Sequence, residues 1–144
     1  MIAQMQLENF VVDQLAFKAA LDDKEPSKGL IGVDFEVKAH AKDKDRFLIR
    51  MQVDLNKGQA FKKNGGYQVQ MQIVGWFKFE KDVDGNTKKK MLYTNATSIL
   101  YGVARTVVAQ LSGTLGTKKF ILPAVNLLEI ARRKSASLDS HVKR

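Results

Sequence analysis

The feature that most narrows the possible folds is a change of hydrophobic period part-way along the chain. Between residues 31 and 79, apolar side chains recur at every second position in three runs. Ile31, Val33, Phe35, Val37 and Ala39 alternate with Asp34, Glu36 and Lys38. Phe47, Ile49, Met51, Val53 and Leu55 alternate with Arg46, Arg50, Gln52 and Asp54. Tyr67, Val69, Met71, Ile73, Phe77 and Phe79 alternate with Gln68, Gln70, Gln72 and Lys78. Period two over such lengths predicts antiparallel strands with one face on a core. Turn-like links separate them: Asp43-Lys44-Asp45, Lys57-Gly58 and Asn64-Gly65-Gly66. An earlier run, about 5–19, is less regular. Met5 and Leu7 share a phase, Phe10 and Val12 take the other, and Leu15 and Phe17 return to the first. Each slip sends the apolar set to the opposite face, so one or two bulges are expected. Asp22–Gly29, with Pro26, reads as a crossover loop, and residues 81–90 as a solvated connection.

From Asn95 to Ser112 the period becomes about 3.6. Ile99, Leu100, Val103, Ala104, Val107, Val108 and Leu111 form a stripe expected to face a core. A second stripe, Ser98, Gly102, Arg105, Ala109 and Ser112, is mostly small where an amphipathic helix would carry Lys and Glu. Small residues admit a second backbone, so this helix is expected to be covered on both sides, by the sheet and by another subunit. Gly113 and Gly116 read as its end. Phe120-Ile121-Leu122-Pro123 is an apolar connector. Asn126 with Glu129 is a capping-box pattern opening a second short helix, Leu127 to about Lys134, with Arg132, Arg133 and Lys134 at its cation-favouring end. A single domain over 1–134 with a flexible basic tail, 135–144, is expected.

Composition removes function classes. The 144 residues are a one-domain length. No cysteine is present, which excludes disulfides, thiolate zinc sites and cysteine nucleophiles, and the two histidines, His40 and His141, are far apart. No apolar run approaches a membrane span, and Met1-Ile2-Ala3-Gln4-Met5 lacks the basic start of a signal peptide, so a cytoplasmic location without membrane insertion is expected. Net charge is +9, concentrated in residues 91–144, which hold 8 basic and 2 acidic groups. Such a balance fits either a soluble surface or an anionic partner. Asp43/Asp45 and Asp82/Asp84 have turn spacing, and Lys88-Lys89-Lys90 reads as a solvated triplet. No phosphate loop, dinucleotide fingerprint or nucleophile–base constellation appears, so no catalytic residue, metal site or cofactor is assigned. Trp76 falls with Val74 on the Gln-rich face of its strand, as a locally covered residue or an exposed patch.

Two segments of the helical third carry a resemblance: Ile99-Leu100-Tyr101-Gly102-Val103-Ala104-Arg105 in the first helix, and Ile121-Leu122-Pro123-Ala124-Val125-Asn126 in the connector. With Phe10–Phe17 in the first strand, they resemble the bacterial export chaperone family SecB. The resemblance spans about residues 5–134 and is specific in the helical third. It implies an α+β fold, a four-stranded antiparallel sheet followed by two helices. It also implies a homotetramer built as a dimer of dimers, and binding of unfolded polypeptide in apolar grooves without ATP. The groove residues it implies are Leu30, Ile31, Val33, Phe35, Trp76, Phe120, Ile121, Leu122, Leu127 and Leu128, about half of which a core would claim. Two departures matter. Export members are acidic, and they carry a cysteine-bearing zinc tail that helps engage the SecA motor. Their carboxylates for that motor match Gln14, Lys18 and Gln70 here, so motor coupling is doubtful and a solitary, dedicated-client chaperone is favoured over a general export factor. The competing reading is a basic nucleic-acid-binding module using Lys62, Lys63 and Lys88–Lys90 with Tyr67, Trp76 and Phe77 as stacking groups; an enzyme ranks third.

Overall fold

Four strands pair in one antiparallel sheet: β1 (Met5–Ala19), β2 (Ile31–Ala39), β3 (Arg46–Leu55) and β4 (Tyr67–Phe79), in the order β1-β4-β3-β2. The structure, a computed structural model, describes residues 4–20, 30–58, 60–61, 66–115 and 118–142, with side chains through Lys134. The expected crossover loop Asp22–Gly29, Lys62, Lys63, Asn64, Gly65 and Gly116 lie outside the described residues.

Register sets the two faces. Val53 lies opposite Val33 and Met71, and Met51 opposite Phe35 and Ile73, so the odd-numbered residues of β2, β3 and β4 share one face. Ile49, Met51, Val53, Met71, Ile73 and Phe77 are fully buried there. This is the inner face; the Gln-rich side is the outer face. β1 has two register shifts, between Leu7 and Asn9 and between Val12 and Gln14. They insert Glu8 and Asp13 and return Phe10, Val12, Leu15 and Phe17 to the inner face, opposite Gly75, Ile73, Met71 and Val69. The phase slips of β1 are therefore bulges, as expected.

The helical layer begins earlier than the sequence period indicates. Residues 81–90, expected as a solvated connection, contain helix α1 (Gly85–Met91), which runs through a π-helical turn (Leu92–Ala96) into helix α2 (Thr97–Leu115). Asp84 starts it: its carboxylate accepts the Thr87 N–H at 2.7 Å. The Lys triplet is not uniformly solvated either. Lys88 Nζ reaches Asp45 Oδ1 at 2.7 Å, both side chains nearly buried, which ties α1 to the β2–β3 turn. That hydrogen bond lowers the Asp45 pKa against the opposing effect of burial. A capping role also explains the Asp43/Asp45 spacing, since Asp43 Oδ1 accepts the Asp45 N–H.

Helix α2 lies over β3 and β4. Thr97, Leu100, Tyr101, Ala104, Val108 and Ser112 are its buried residues. Of the apolar stripe expected to face the core, Leu100, Ala104 and Val108 are buried in it and Val103 and Val107 pack against it half-buried, while Ile99 is 42% exposed. The buried side is rotated toward Tyr101 and Ser112 because a second element packs there. That element is the extended connector 118–126, which leads into helix α3 (Leu127–Val142). Asn126 Oδ1 accepts the Glu129 N–H at 3.0 Å, as its cap position requires, while the Glu129 carboxylate turns to Arg133 at 2.7 Å. The helix backbone continues past Lys134 to Val142. Lys134 anchors α3 at the β2 edge, with Nζ 2.7 Å from Asp34 and 5.4 Å from the Phe35 ring centre.

Gly75 sits where α2 meets the sheet. A Cβ there would stand 2.8 Å from Leu100 Cδ1 and 3.0 Å from a Phe77 ring carbon. Gly75→Val is expected to destabilise by about 1–3 kcal/mol through overpacking, read as a shift of the urea midpoint. Lys88→Ala strands Asp45 in a nearly buried site without its partner. With Lys88 in place, Asp45 has a folded pKa below its unfolded value, so its stabilisation holds above the ordinary carboxylate range and fades as pH falls. Lys88→Ala is therefore expected to move the acid-unfolding midpoint to higher pH; an unchanged midpoint would show the pair to be inert.

Candidate client-binding surface

The connector is extended backbone outside any sheet, so its polar groups need partners from elsewhere. Helix α2 and β4 supply them. Ser112 Oγ accepts the Phe120 N–H at 2.7 Å, and the Ser112 hydroxyl lies 3.2 Å from Phe120 O. Arg105 Nε donates to Leu122 O at 2.9 Å, and the Tyr101 hydroxyl donates to Pro123 O at 2.5 Å. The Tyr67 hydroxyl donates to Lys118 O and accepts the Lys118 N–H. Burial raises the Tyr101 pKa, opposed by the Arg105 charge. Tyr101, Arg105 and Ser112 follow one another at helical spacing and hold the connector along the side of α2.

That clamp fixes which connector side chains point inward. Phe120 and Leu122 are buried, with Phe120 6.1 Å from Tyr67 ring to ring, and Ile121 between them is 57% exposed. Of the ten expected groove residues, Phe35, Phe120, Leu122 and Leu127 are thus core. Leu30, Ile121 and Leu128 are exposed, and Ile31 and Val33 are half-buried on the inner face of β2. Among the described residues β2 pairs only with β3, which makes it an edge strand beside these side chains. Trp76 does not join them. It lies on the outer face, opposite Asn9 and Leu48; the even phase of β4 points away from the helices.

The fold matches solved structures. Over 85% of this chain and 88% of the other, it superposes with a TM-score of 0.61 on a Mycobacterium tuberculosis SecB-like chaperone solved in complex with a ChAD peptide from the HigA1 antitoxin, at 13% identity. The fold is SecB-like. A protein of unknown function from Streptococcus agalactiae also aligns, with a TM-score of 0.51 and 11% identity over 83% of this chain and 97% of that one. No family model and no curated protein matches the sequence. On the SecB-like fold, the expected order of four strands and then helices holds, with α1 and the π turn added ahead of the long helix.

The small-residue stripe divides. Ser98 and Gly102 are exposed, Ala109 is half-buried, and open space surrounds a Cβ built on Gly102. Ser112, expected at a subunit interface, is instead fully buried against the connector, and Arg105 is committed to Leu122. A serine and an arginine on a helix side read as surface in one dimension; only the returning connector shows what they bond. Gln14, Lys18 and Gln70 are all exposed on the outer face of β1 and β4, and Gln14 and Gln70 line one shallow hollow. For the nucleic-acid reading, Tyr67 and Phe77 are buried and offer no stacking surface. What the sequence reading missed is an open apolar strip. Phe10 and Leu15 face inward on β1 yet are each 43% exposed, because the helices stop over β4.

Ser112→Ala leaves the buried Phe120 N–H without its acceptor. It is expected to cost about 1–3 kcal/mol and to speed hydrogen exchange at the Phe120 amide. Thr106→Ala, on the exposed side of the same helix, serves as the control and is expected to stay within about 0.5 kcal/mol of the parent.

Proposed function

We propose that this protein is a non-enzymatic, SecB-like chaperone that holds non-native polypeptide on apolar surface without nucleotide. The single observation that carries this reading is the apolar surface along β2 and the connector. Leu30, Ile31 and Val33 keep exposure at β2, an edge strand among the described residues, and Ile121 and Leu128 are exposed on the connector and α3. An extended client can bond the β2 edge through its backbone and bury alternate side chains against these residues. Such a mode reads hydrophobicity rather than sequence, which suits unfolded chains. The peptide-bound state of the mycobacterial neighbour accords with a polypeptide ligand on this fold.

Self-association belongs to the same reading. β1 is a fifteen-residue edge strand, its Phe10 and Leu15 are open on the inner face, and Ile99 of α2 is exposed as well. Contiguous apolar surface of this kind is uncommon on monomers. A second copy laid against β1 and the Ser98–Gly102–Ala109 side of α2 would cover it, and a dimer of dimers completes the arrangement. Gln14, Lys18 and Gln70 set this chain apart from an export factor that offers carboxylates to its motor. Each exposed pair is worth about 0.2–1 kcal/mol, so removing two and reversing one weakens such docking. A cytoplasmic chaperone with a dedicated client fits these features best.

Two measurements test this. The purified protein is expected to suppress aggregation of a chemically denatured model client, and to keep doing so in about 0.5 M salt, since apolar burial drives the contact. Ile121→Asp or Leu128→Asp is expected to weaken holding about 5- to 150-fold, the equivalent of 1–3 kcal/mol, whereas neutralising Lys89 and Lys90 changes little. Collapse of holding with salt, or dependence on those lysines, would contradict the proposal. In light scattering, the mass is expected to be a multiple of 16.2 kDa, falling toward the protomer in Ile99→Arg or Gly102→Trp while the circular dichroism of the sheet persists. A monomer at micromolar concentration would end the assembly proposal.

A further inference from the structure

The outer face of the sheet carries a second surface that client holding does not use. One row of the register crosses all four strands there: Asn9, Trp76, Leu48 and Lys38. It forms the floor and ends of an open groove of about 580 Å³, with His40 and Arg46 at its rim. The floor is apolar: the Trp76 indole, 38% exposed, lies beside half-buried Leu48. Its hydrogen-bonding capacity is one-sided. Asn9 Oδ1 already accepts the Phe10 N–H, leaving its amide NH2. His40 Nδ1 accepts the backbone N–H groups of Lys42 and Asp43, so the neutral ring carries its hydrogen on Nε2. Indole and ammonium are donors only. The nearby Glu36 lies 3.1 Å from Arg50 and 3.7 Å from Lys38, and Glu8, the one carboxylate lining the groove, pairs through Oε1 with Arg46 at 3.3 Å. Among the described residues, the donors of Asn9, His40 and Trp76 have no hydrogen-bond acceptor, and the Lys38 ammonium has only the Glu36 carboxylate at 3.7 Å.

The geometry points to a docking groove for a short acidic–aromatic segment of a partner polypeptide, its aromatic ring seated on Trp76 and Leu48 and its carboxylates taken by Lys38 and the other donors. Length and charge select this occupant. Three inter-strand steps span about 14 Å, the reach of roughly four extended residues. A second copy of this chain is disfavoured by its own charge of +9, and a basic client segment by the two cations lining the groove, Lys38 and Arg46, against one carboxylate, Glu8. Carboxylates supply acceptors without donors, and an aromatic ring supplies the area the indole leaves open.

Trp76 is the chain's one tryptophan, so its emission reports this groove and no other surface. The probe is the capped peptide acetyl-Gly-Asp-Phe-Asp-Gly-amide, titrated against the full-length protein, with the Lys-Phe-Lys and Asp-Ala-Asp versions alongside. The expected result is a saturable change in Trp76 emission with the first peptide. Affinity should fall with added salt, drop about fivefold or more in Lys38→Glu, and be much weaker for both altered peptides. Labelled-peptide polarisation with Leu48→Ser provides a second readout that leaves the indole in place, and binding should weaken there too. No saturable change up to millimolar peptide would overturn the proposal. So would equal binding of the Lys-Phe-Lys peptide, or indifference to both Lys38→Glu and Leu48→Ser. If Leu48→Ser instead dissociates the assembly in light scattering, the face is a contact between copies and the proposal fails.

Discussion

The clamp between helix α2 and the connector determines the arrangement of the rest of the inner layer. An extended segment that belongs to no sheet must either face water or borrow hydrogen bonds. Here Tyr67, Ser112, Arg105 and Tyr101 provide them in order along residues 118–123. With the backbone fixed, strict alternation of side chains follows. Phe120 and Leu122 complete the core, and Ile121 is presented outward. The same path delivers Asn126 to the start of α3, whose Lys134 then reaches Asp34 at the β2 edge. The proposed client surface is therefore a consequence of a polar clamp, although its own chemistry is apolar.

The sheet was legible because period two is a local property. The odd positions of β2, β3 and β4 needed no partner to announce their face, and the slips at Leu7/Phe10 and Val12/Leu15 announced the bulges of β1. The beginning of the helical layer was not legible. Lys88-Lys89-Lys90 has no apolar stripe, and what makes it helical is the Asp84 cap and the Lys88–Asp45 pair, a contact across 43 residues of chain. The site divides along the same line. Leu30, Ile121 and Leu128 could be named from their apolarity, but only tertiary packing separates them from Phe35, Phe120, Leu122 and Leu127. Arg105 and Ser112 misled for the complementary reason, since polar residues on a helix side look like surface until the connector returns to bond them. Trp76 kept its phase and its exposure, and what placed it apart from the groove was the face its strand parity assigns.

The two faces of this sheet divide the chemistry. The inner face concentrates apolar surface, part of it packed under α2 and α3, part open along β2 and the connector, and part open on β1. The outer face is polar, Gln-rich and cationic at one end, with a single indole in a donor-lined groove. A chaperone that holds clients on one face while offering the other to a separate partner has no need for the two ligands to compete. The SecB-like scaffold accommodates this because, among the described residues, a four-stranded sheet with its helices on one side leaves the other face open.

The central claim is that non-native polypeptide docks along β2 and the connector. Hydrogen–deuterium exchange of the full-length protein, with and without a saturating denatured client, tests it most directly. The account predicts added protection at the β2 edge, residues 30–35, and across 119–128, with the interior of β3 and β4 unchanged because it is already buried. Protection confined to the outer-face groove around Trp76 and Leu48, or no difference at 30–35 and 119–128, would contradict it.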